Sequence, residues 1–162
     1  MLKEVTGDIL LSKADVIAHG VAPNDDFHQG LALSLRERWP AMYKDFRHFC
    51  KVKHPEAGDV WVWQGAEGAA IANLLTQEGA YDHGAKPGKA NHKFVDHALK
   101  NFHQEIEKNG WKSVAITRLA TGVGGMDWNE VQPLLEKHLG ATLKIPVYVY
   151  TTYQAGEAAN EG

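Results

Sequence analysis

The chain of 162 residues is 44% hydrophobic and 23% charged, proportions typical of a single globular domain with its own core. Its 17 basic and 20 acidic residues give a net charge of −3, which argues against broad electrostatic capture of nucleic acid. One cysteine excludes an internal disulfide and suits a reducing compartment. No apolar stretch approaches the ~20 residues of a membrane span, and the first residues do not resemble a signal peptide. We therefore expect a cytoplasmic protein.

Strand and helix patterns alternate along the chain. Apolar runs predict an opening strand over 1–5 and 8–11, followed by strands at 15–21, 59–65, 69–75, 113–117 and 145–153. Helical spacing of apolar residues predicts helices at 31–39, 41–50, 93–110 and 130–139, the last with Pro133 near its first turn. This alternation favours an α/β domain over 1–153 with a mixed, mostly parallel central sheet. The polar residues 154–162 predict a disordered tail.

Three glycine-bearing loops follow predicted strand ends, at 20–30, 79–88 and 120–125. Glycine N–H groups can approach an anion closely, and a helix N-terminus adds partial positive charge. The turn TGVGG at 121–125 and the helix opening GLAL at 30–33 both have this chemistry. The turn is not a Walker loop, because no Lys-Ser/Thr pair follows its glycines. A flexible turn that binds nothing is the alternative.

Several motifs, taken in order, resemble the macrodomains, a family that binds ADP-ribose and its derivatives. They are VTGDILLSKADVIAHGV (5–21), GLALSLRERWP (30–40), IANLLTQ (71–77), LATGVGGMDW (119–128) and VYVYTTY (147–153). The pattern is closest to the terminal ADP-ribose glycohydrolases and to the macrodomain antitoxins that remove ADP-ribose from DNA bases. The resemblance therefore implies a three-layer α/β/α macrodomain that binds its ligand at the carboxyl ends of the strands.

The resemblance also implies a position for each part of the ligand. Asp8 would accept a hydrogen bond from the adenine amino group, and Tyr150 would either stack near the adenine or pack in the sheet. The loop from His19 to Gly30 would surround the distal ribose, and the glycine turn would close over the diphosphate. The implied ligand-binding residues are Asp8, Ile9, His19, Val21, Asn24, Gln29, Gly30, Leu31, Thr121, Gly122, Val123, Gly124, Gly125 and Tyr150.

The catalytic residues of the family carry over less well than the binding residues. The lysine and aspartate positions of the terminal glycohydrolases are Gln77 and Gly124 here, and the acid of the mono-ADP-ribosylhydrolases is replaced by Ala32. Cleavage of an ADP-ribosyl bond needs a group that activates water or attacks the anomeric carbon, and help for the leaving group. The candidate replacements are Asp25, His28, Glu78 and Lys86. The alternative for each of these four residues is a solvated loop side chain without a catalytic role.

These patterns predict a hydrolase that binds ADP-ribose and removes ADP-ribosyl groups from a nucleobase or a carboxylate ester. A non-catalytic reader of ADP-ribose or of an NAD-derived signal is one alternative, and a phosphatase acting on ADP-ribose 1″-phosphate is another. If the substrate is a modified DNA or RNA base, the expected contacts are Lys86, Lys89 and Lys93. The nine histidines show no metal-ligand spacing, so we expect neither a metal nor a cofactor.

Overall fold

The computed structural model describes residues 2–28, 30–65, 68, 70–79, 88–122 and 124–162. Within these ranges the strands are β1 (Leu2–Gly7), β2 (Val16–Val21), β3 (Val60–Gln64), β4 (Ala70–Leu75), β5 (Val114–Thr117) and β6 (Val147–Tyr153). The α-helices of the same ranges are α1 (Gly30–Arg38), α2 (Pro40–Lys53), α3 (His92–Asn109) and α4 (Trp128–Leu135). No helix of the described residues is long and apolar enough to cross a membrane.

The strands form one sheet in the order β1-β6-β5-β2-β4-β3, and each neighbouring pair is parallel except β3 with β4. An apolar core lies on each face. Helices α3 and α4 pack on one core, and α1 and α2 pack on the other. Alternate residues of β2 show this division, because Val16 and Ala18 belong to the first core and Ile17 to the second. The predicted three-layer α/β/α fold with a mixed, mostly parallel sheet is thereby confirmed.

The carboxyl end of β2 lies where the strand order reverses. β2 pairs with β4 on one side and with β5 on the other, and α3 carries the chain from β4 across to β5. Parallel α/β sheets bind ligands at such a point, in the crevice between the loops that diverge there. Residues 22–28 follow β2 and residues 118–122 follow β5, so these two segments form the walls of the crevice.

Most predicted elements agree with the structure within a few residues, but two details are wrong. Residues 8–11 do not extend the first strand. Asp8 instead begins a short 3-10 helix at Ile9–Leu11, because its side chain accepts a hydrogen bond from the Leu10 N–H at 3.0 Å. Pro133 lies in the second turn of α4 rather than the first, since that helix begins at Trp128.

The last nine residues pack against the domain, although their composition predicts a disordered tail. The Asp8 N–H donates to the Glu157 carbonyl at 2.7 Å, and the Gly156 N–H donates to Asp8 Oδ2 at 2.9 Å. The Tyr150 hydroxyl donates to the Glu161 carboxylate at 2.5 Å. Burial, and then this bond, raise the pKa of Tyr150 above its ordinary value. A polar segment packs here because its polar groups find partners in β1, β6 and the 3-10 helix. The predicted domain boundary at residue 153 and the predicted disorder of residues 154–162 stay predictions.

A side chain at Gly7 should displace this C-terminal segment. A Cβ at Gly7 would lie 2.8 Å from the Ala159 backbone nitrogen and 2.9 Å from its Cα, both closer than van der Waals contact. We expect Gly7→Ala to increase hydrogen exchange of the Gly156 amide about tenfold or more, measured by NMR. Gly122→Ala is the control, because a Cβ there meets no atom within 4 Å. Unchanged Gly156 protection in Gly7→Ala would contradict the expectation.

Candidate functional site

Two adjoining cavities occupy the crevice. The β6 cavity has a volume of about 470 Å³ and is lined by Gly7, Ile9, Ser34, Tyr150, Thr151 and Tyr153. The β2 cavity has a volume of about 590 Å³, and its lining includes His19, Val21, Asp25, His28, Gln77, Gly122 and Gly124. Four residues line both cavities: Gly30, Leu31, Thr117 and Arg118. The two cavities therefore meet at this shared group and form one elongated cleft.

The N-terminus of α1 lies at the junction of the two cavities. Gly30 begins the helix with a φ of 63°, a left-handed conformation that favours glycine. The first N–H groups of a helix lack partners within the helix, and its dipole places partial positive charge there. Arg118 adds a full positive charge at the same junction, and its guanidinium lies 5.2 Å from the centre of the Trp128 ring. A phosphate is the kind of group that this junction is suited to bind.

Two glycines of the turn after β5, Gly122 and Gly124, lack a side chain for different structural reasons. At Gly124 the reason is internal, because a Cβ would lie 2.6 Å from the Ala120 carbonyl oxygen. Ala120 itself has a φ of 62°, and its carbonyl accepts the Met126 N–H at 2.9 Å. At Gly122 a Cβ would meet nothing within 4 Å, and the residue lines the β2 cavity. Gly122 therefore presents bare backbone to whatever occupies that cavity.

His19 is a buried and neutral wall of the β2 cavity. Its Nε2 lies 2.6 Å from Asn73 Oδ1, while Asn73 Nδ2 donates to the Trp61 carbonyl at 3.3 Å. Because the Asn73 oxygen can only accept, the His19 proton lies on Nε2 and Nδ1 is left as an acceptor. Burial lowers the pKa of His19 to about 4, although the bond to Asn73 opposes the shift. His19 can therefore accept a hydrogen bond at neutral pH without carrying charge.

Asp25 and His28, two of the four catalytic candidates, lie together on the β2 cavity. Burial raises the pKa of Asp25, although the hydrogen bond from the Phe27 N–H to Asp25 Oδ1, at 2.8 Å, opposes this shift. His28 Nδ1 is paired with Asp26, and both of these side chains are more than half exposed. Nδ1 donates to this carboxylate, which leaves His28 Nε2 as the acceptor. One loop thus carries both the Asp25 carboxyl group, whose raised pKa favours the protonated form, and the His28 imidazole, which can accept a proton.

Glu78 lies outside the cleft, whereas its neighbour Gln77 lines the β2 cavity. Glu78 is exposed and lines a separate depression with Pro23 and Phe94, so the structure does not bring it to the cleft. Gln77 is buried, lines the β2 cavity and donates from Nε2 to the Gly88 carbonyl at 2.7 Å. A glutamine amide can position a ligand, but it cannot replace the nucleophilic or acid–base chemistry of a lysine.

The structure places the other predicted residues in three groups. The β2 cavity holds His19, Val21, Gly30, Leu31, Gly122 and Gly124, and the β6 cavity holds Ile9, Gly30, Leu31 and Tyr150. Asp8, Asn24, Thr121 and Gly125 lie outside the lining of both cavities. Gln29, Lys86 and Val123 lie outside the described residues. Among the described residues, no three His, Cys, Asp or Glu side chains are grouped as a metal site would require.

Sequence reasoning missed Arg118 and Tyr153, which the cleft contains. Arg118 is the first residue after β5, a position from which side chains reach the ligand crevice of a parallel sheet. Tyr153 ends β6 and is 54% exposed, an unusual position for an aromatic ring of a strand. Both residues could have been found from their location at carboxyl ends of strands, had those ends been searched for charged and aromatic side chains.

The neutral state of His19 predicts a loss of stability in acid. Between pH 6.5 and about 4, the unfolded chain binds a proton at this histidine and the folded protein does not. The free energy of unfolding should therefore fall as the pH is lowered through this window, by up to about 3 kcal/mol from this group. Urea unfolding at pH 7 and pH 4.5 measures the difference, which His19→Gln should reduce. His48→Gln, at an exposed histidine outside the cleft, is the control. Equal pH dependence in all three proteins would reject this account.

Comparison with known proteins agrees with this architecture. A family model described as "Macro domain" matches residues 26–135. A "DNA ADP-ribosyl transferase-DNA ADP-ribosyl glycohydrolase fusion protein" of Thermosipho africanus is 27% identical over 92% of this chain and 41% of its own length. A "DNA ADP-ribosyl glycohydrolase" of Thermus aquaticus is 25% identical over 93% of this chain and 41% of its own length. The chain thus spans about two fifths of the length of these curated relatives.

Solved structures extend the likeness beyond the region that the family model matches. The macrodomain of Thermus aquaticus DarG superimposes with a TM-score of 0.80 at 25% identity, over 93% of this chain and 98% of that one. The macrodomain of Mycobacterium tuberculosis DarG gives a TM-score of 0.82 at 22% identity, over 93% and 97% of the two chains, and shows the shared fold. With the family model covering α1 to α4 and a solved macrodomain matching 93% of the chain, the chain belongs to the Macro domain family.

Proposed function

We propose that this chain binds ADP-ribose along the whole cleft and hydrolyses an ADP-ribosyl bond to a nucleobase of DNA. The observation that carries the proposal is the order of chemistry along the cleft. An aromatic cavity is followed by a positively charged junction and then by a cavity with acid–base side chains. Adenosine, diphosphate and the distal ribose require these environments in this order. The names of the two relatives above support DNA as the substrate.

The β6 cavity is the proposed adenosine site. Tyr153 offers an exposed ring on which a base can stack, and Ile9 adds an apolar side chain. The Tyr150 ring is buried and its hydroxyl is held by Glu161, so Tyr150 acts as a fixed wall. At the junction, the N–H groups at the start of α1 and the Arg118 guanidinium bind the diphosphate. The distal ribose then lies in the β2 cavity, with a hydroxyl group donating to His19 Nδ1.

The proposed hydrolysis uses one proton donor and one proton acceptor of the β2 cavity. His28 Nε2 removes a proton from water while Asp26 orients the ring through Nδ1. The water oxygen forms a bond to the anomeric carbon of the distal ribose as the bond from that carbon to the base breaks. Asp25 donates its proton to the departing base, a role for which burial prepares it by raising its pKa. The products are ADP-ribose and the unmodified base.

Loss of either proton-transfer group should lower turnover without abolishing binding. We expect Asp25→Asn and His28→Gln each to reduce kcat for an ADP-ribosylated single-stranded oligonucleotide about 10²-fold or more. Chromatography of the released ADP-ribose measures kcat, and calorimetry measures ADP-ribose affinity, which should change by about threefold or less in both variants. Glu78→Gln is the matched control, because that carboxylate lies outside the cleft.

Four outcomes of this experiment would count against the proposal in different ways. Wild-type turnover by the Asp25→Asn/His28→Gln double variant would reject the assignment of these residues. Tight ADP-ribose binding by the wild type with no turnover would favour a non-catalytic reader, and release of inorganic phosphate from ADP-ribose 1″-phosphate alone would favour the phosphatase. Absence of ADP-ribose binding would reject the cleft assignment itself.

Arg118 should contribute to affinity for the diphosphate rather than for adenosine. We expect Arg118→Gln to weaken ADP-ribose binding about tenfold to a hundredfold, because a hydrogen bond to a charged group contributes about 1.5–3 kcal/mol. Calorimetry with adenosine alone should give the same affinity for Arg118→Gln and the wild type. Arg38→Gln, an exposed arginine at the end of α1, is the control. An equal loss of affinity for adenosine and ADP-ribose would show that Arg118 acts through the fold of the cleft.

A further inference from the structure

Positive charge is concentrated in a part of the molecule that the proposed active site does not use. Residues 36–54, from the end of α1 to just beyond α2, contain six Lys or Arg and two Asp or Glu, a net charge of +4. Because the whole chain has a net charge of −3, the remaining residues have a net charge of −7. A basic face on an otherwise acidic molecule is the electrostatic signature of a site for an anionic polymer.

The basic side chains of α2 lie along one side of the helix. Lys44, Arg47, His48 and Lys51 are spaced three and four residues apart, so they follow one another over about 10 Å of the helix surface. We call these four residues the α2 basic face. Lys44, His48 and Lys51 are exposed, and the ion pairs of the described residues are made elsewhere, by other histidines and by Lys137. The charge of the α2 basic face is therefore not neutralised by a described carboxylate.

The α2 basic face adjoins the catalytic end of the cleft. Arg47, His48, Lys51 and Asn24 line a depression of about 450 Å³. Arg47 Nη1 donates to the Asn24 carbonyl at 2.8 Å and lies 3.5 Å from the Asp25 carbonyl. Asn24 faces this depression and Asp25 lines the β2 cavity, and consecutive Cα atoms are only about 3.8 Å apart. The two depressions are thus lined by consecutive residues of one loop.

We propose that the α2 basic face binds the phosphate backbone of a single-stranded nucleic acid, at nucleotides adjacent to the one whose ADP-ribosyl bond lies in the β2 cavity. This inference rests on the proposed function and adds a surface outside the cleft that binds the strand carrying the modification. A single strand fits because a base linked to ADP-ribose must leave a duplex before its glycosidic bond reaches a cavity. The acidic remainder of the chain repels phosphates, so the strand is confined to this face and to few contacts.

The test compares two double charge reversals. Lys44→Glu/Lys51→Glu alters the α2 basic face, and Lys100→Glu/Lys108→Glu makes the same charge change at exposed positions of α3. Fluorescence anisotropy measures binding of an unmodified single-stranded 12-nucleotide DNA, and calorimetry measures binding of free ADP-ribose. We expect the α2 variant to weaken oligonucleotide binding tenfold or more and to lower the slope of log K against log salt by about 1.4, which corresponds to two phosphate contacts. The α3 variant should retain the wild-type slope, and both variants should retain ADP-ribose affinity.

The remaining outcomes separate this inference from the proposed hydrolase. An equal loss of oligonucleotide affinity in the two double variants, or no loss of it in the α2 variant, would overturn the inference. Loss of polyglutamate binding with unchanged oligonucleotide binding would also overturn it, because the partner would then be an acidic polypeptide. If the wild type releases no ADP-ribose from a modified oligonucleotide but the α2 variant alone loses oligonucleotide affinity, the hydrolase is rejected and the nucleic-acid surface is retained. Thermal unfolding of both variants confirms that each is folded.

Discussion

The burial of Phe27 is the constraint on which the β2 cavity, the proposed catalytic end of the cleft, depends. This ring is fully buried, 5.1 Å from the centre of the Phe46 ring and 5.7 Å from that of His19. Such a side chain contributes about 1.5–3 kcal/mol by leaving water, which disfavours loop conformations that expose it. Its neighbours in sequence, Asp26 and His28, are exposed, so Phe27 is an apolar anchor within an otherwise polar loop. The acid–base groups are positioned because this anchor cannot move without exposing its ring.

Helix α2 supports the same loop from its outer side. The Asn24 N–H donates to the Cys50 thiol at 3.2 Å, and Arg47 donates to the carbonyls of Asn24 and Asp25. Asn24 has a φ of 61°, a conformation that asparagine adopts more readily than most residues. The loop is therefore held by an apolar anchor from within the core and by polar contacts from α2. The proposed catalytic residues and the proposed nucleic-acid surface consequently share one structural element.

The sequence predicted the fold well because the fold depends on repeating patterns. Apolar runs located the strands and apolar spacing located the helices, whereas the family was recognised from the resemblance of five sequence motifs taken in order. The site was predicted only in part, since its geometry depends on contacts between distant residues. The sequence made Asp25 and Glu78 equally good candidates for catalysis. The path of the chain after β2 and β4 distinguishes them, because it places Asp25 on the β2 cavity and Glu78 outside the cleft. Arg118 belongs to no repeating pattern, so its place at the junction follows from the sheet alone.

The C-terminal segment gives Asp8 a second partner, and this has a thermodynamic consequence. Both carboxylate oxygens of Asp8 already accept backbone N–H groups, one from Leu10 and one from Gly156. A ligand of the β6 cavity contacts Tyr150, whose hydroxyl donates to Glu161 of the same C-terminal segment. Binding of the ligand and docking of the segment are then coupled, and the free energy of coupling is the same in both directions. Order in the last residues of the chain would therefore report occupancy of the β6 cavity, even where those residues do not touch the ligand.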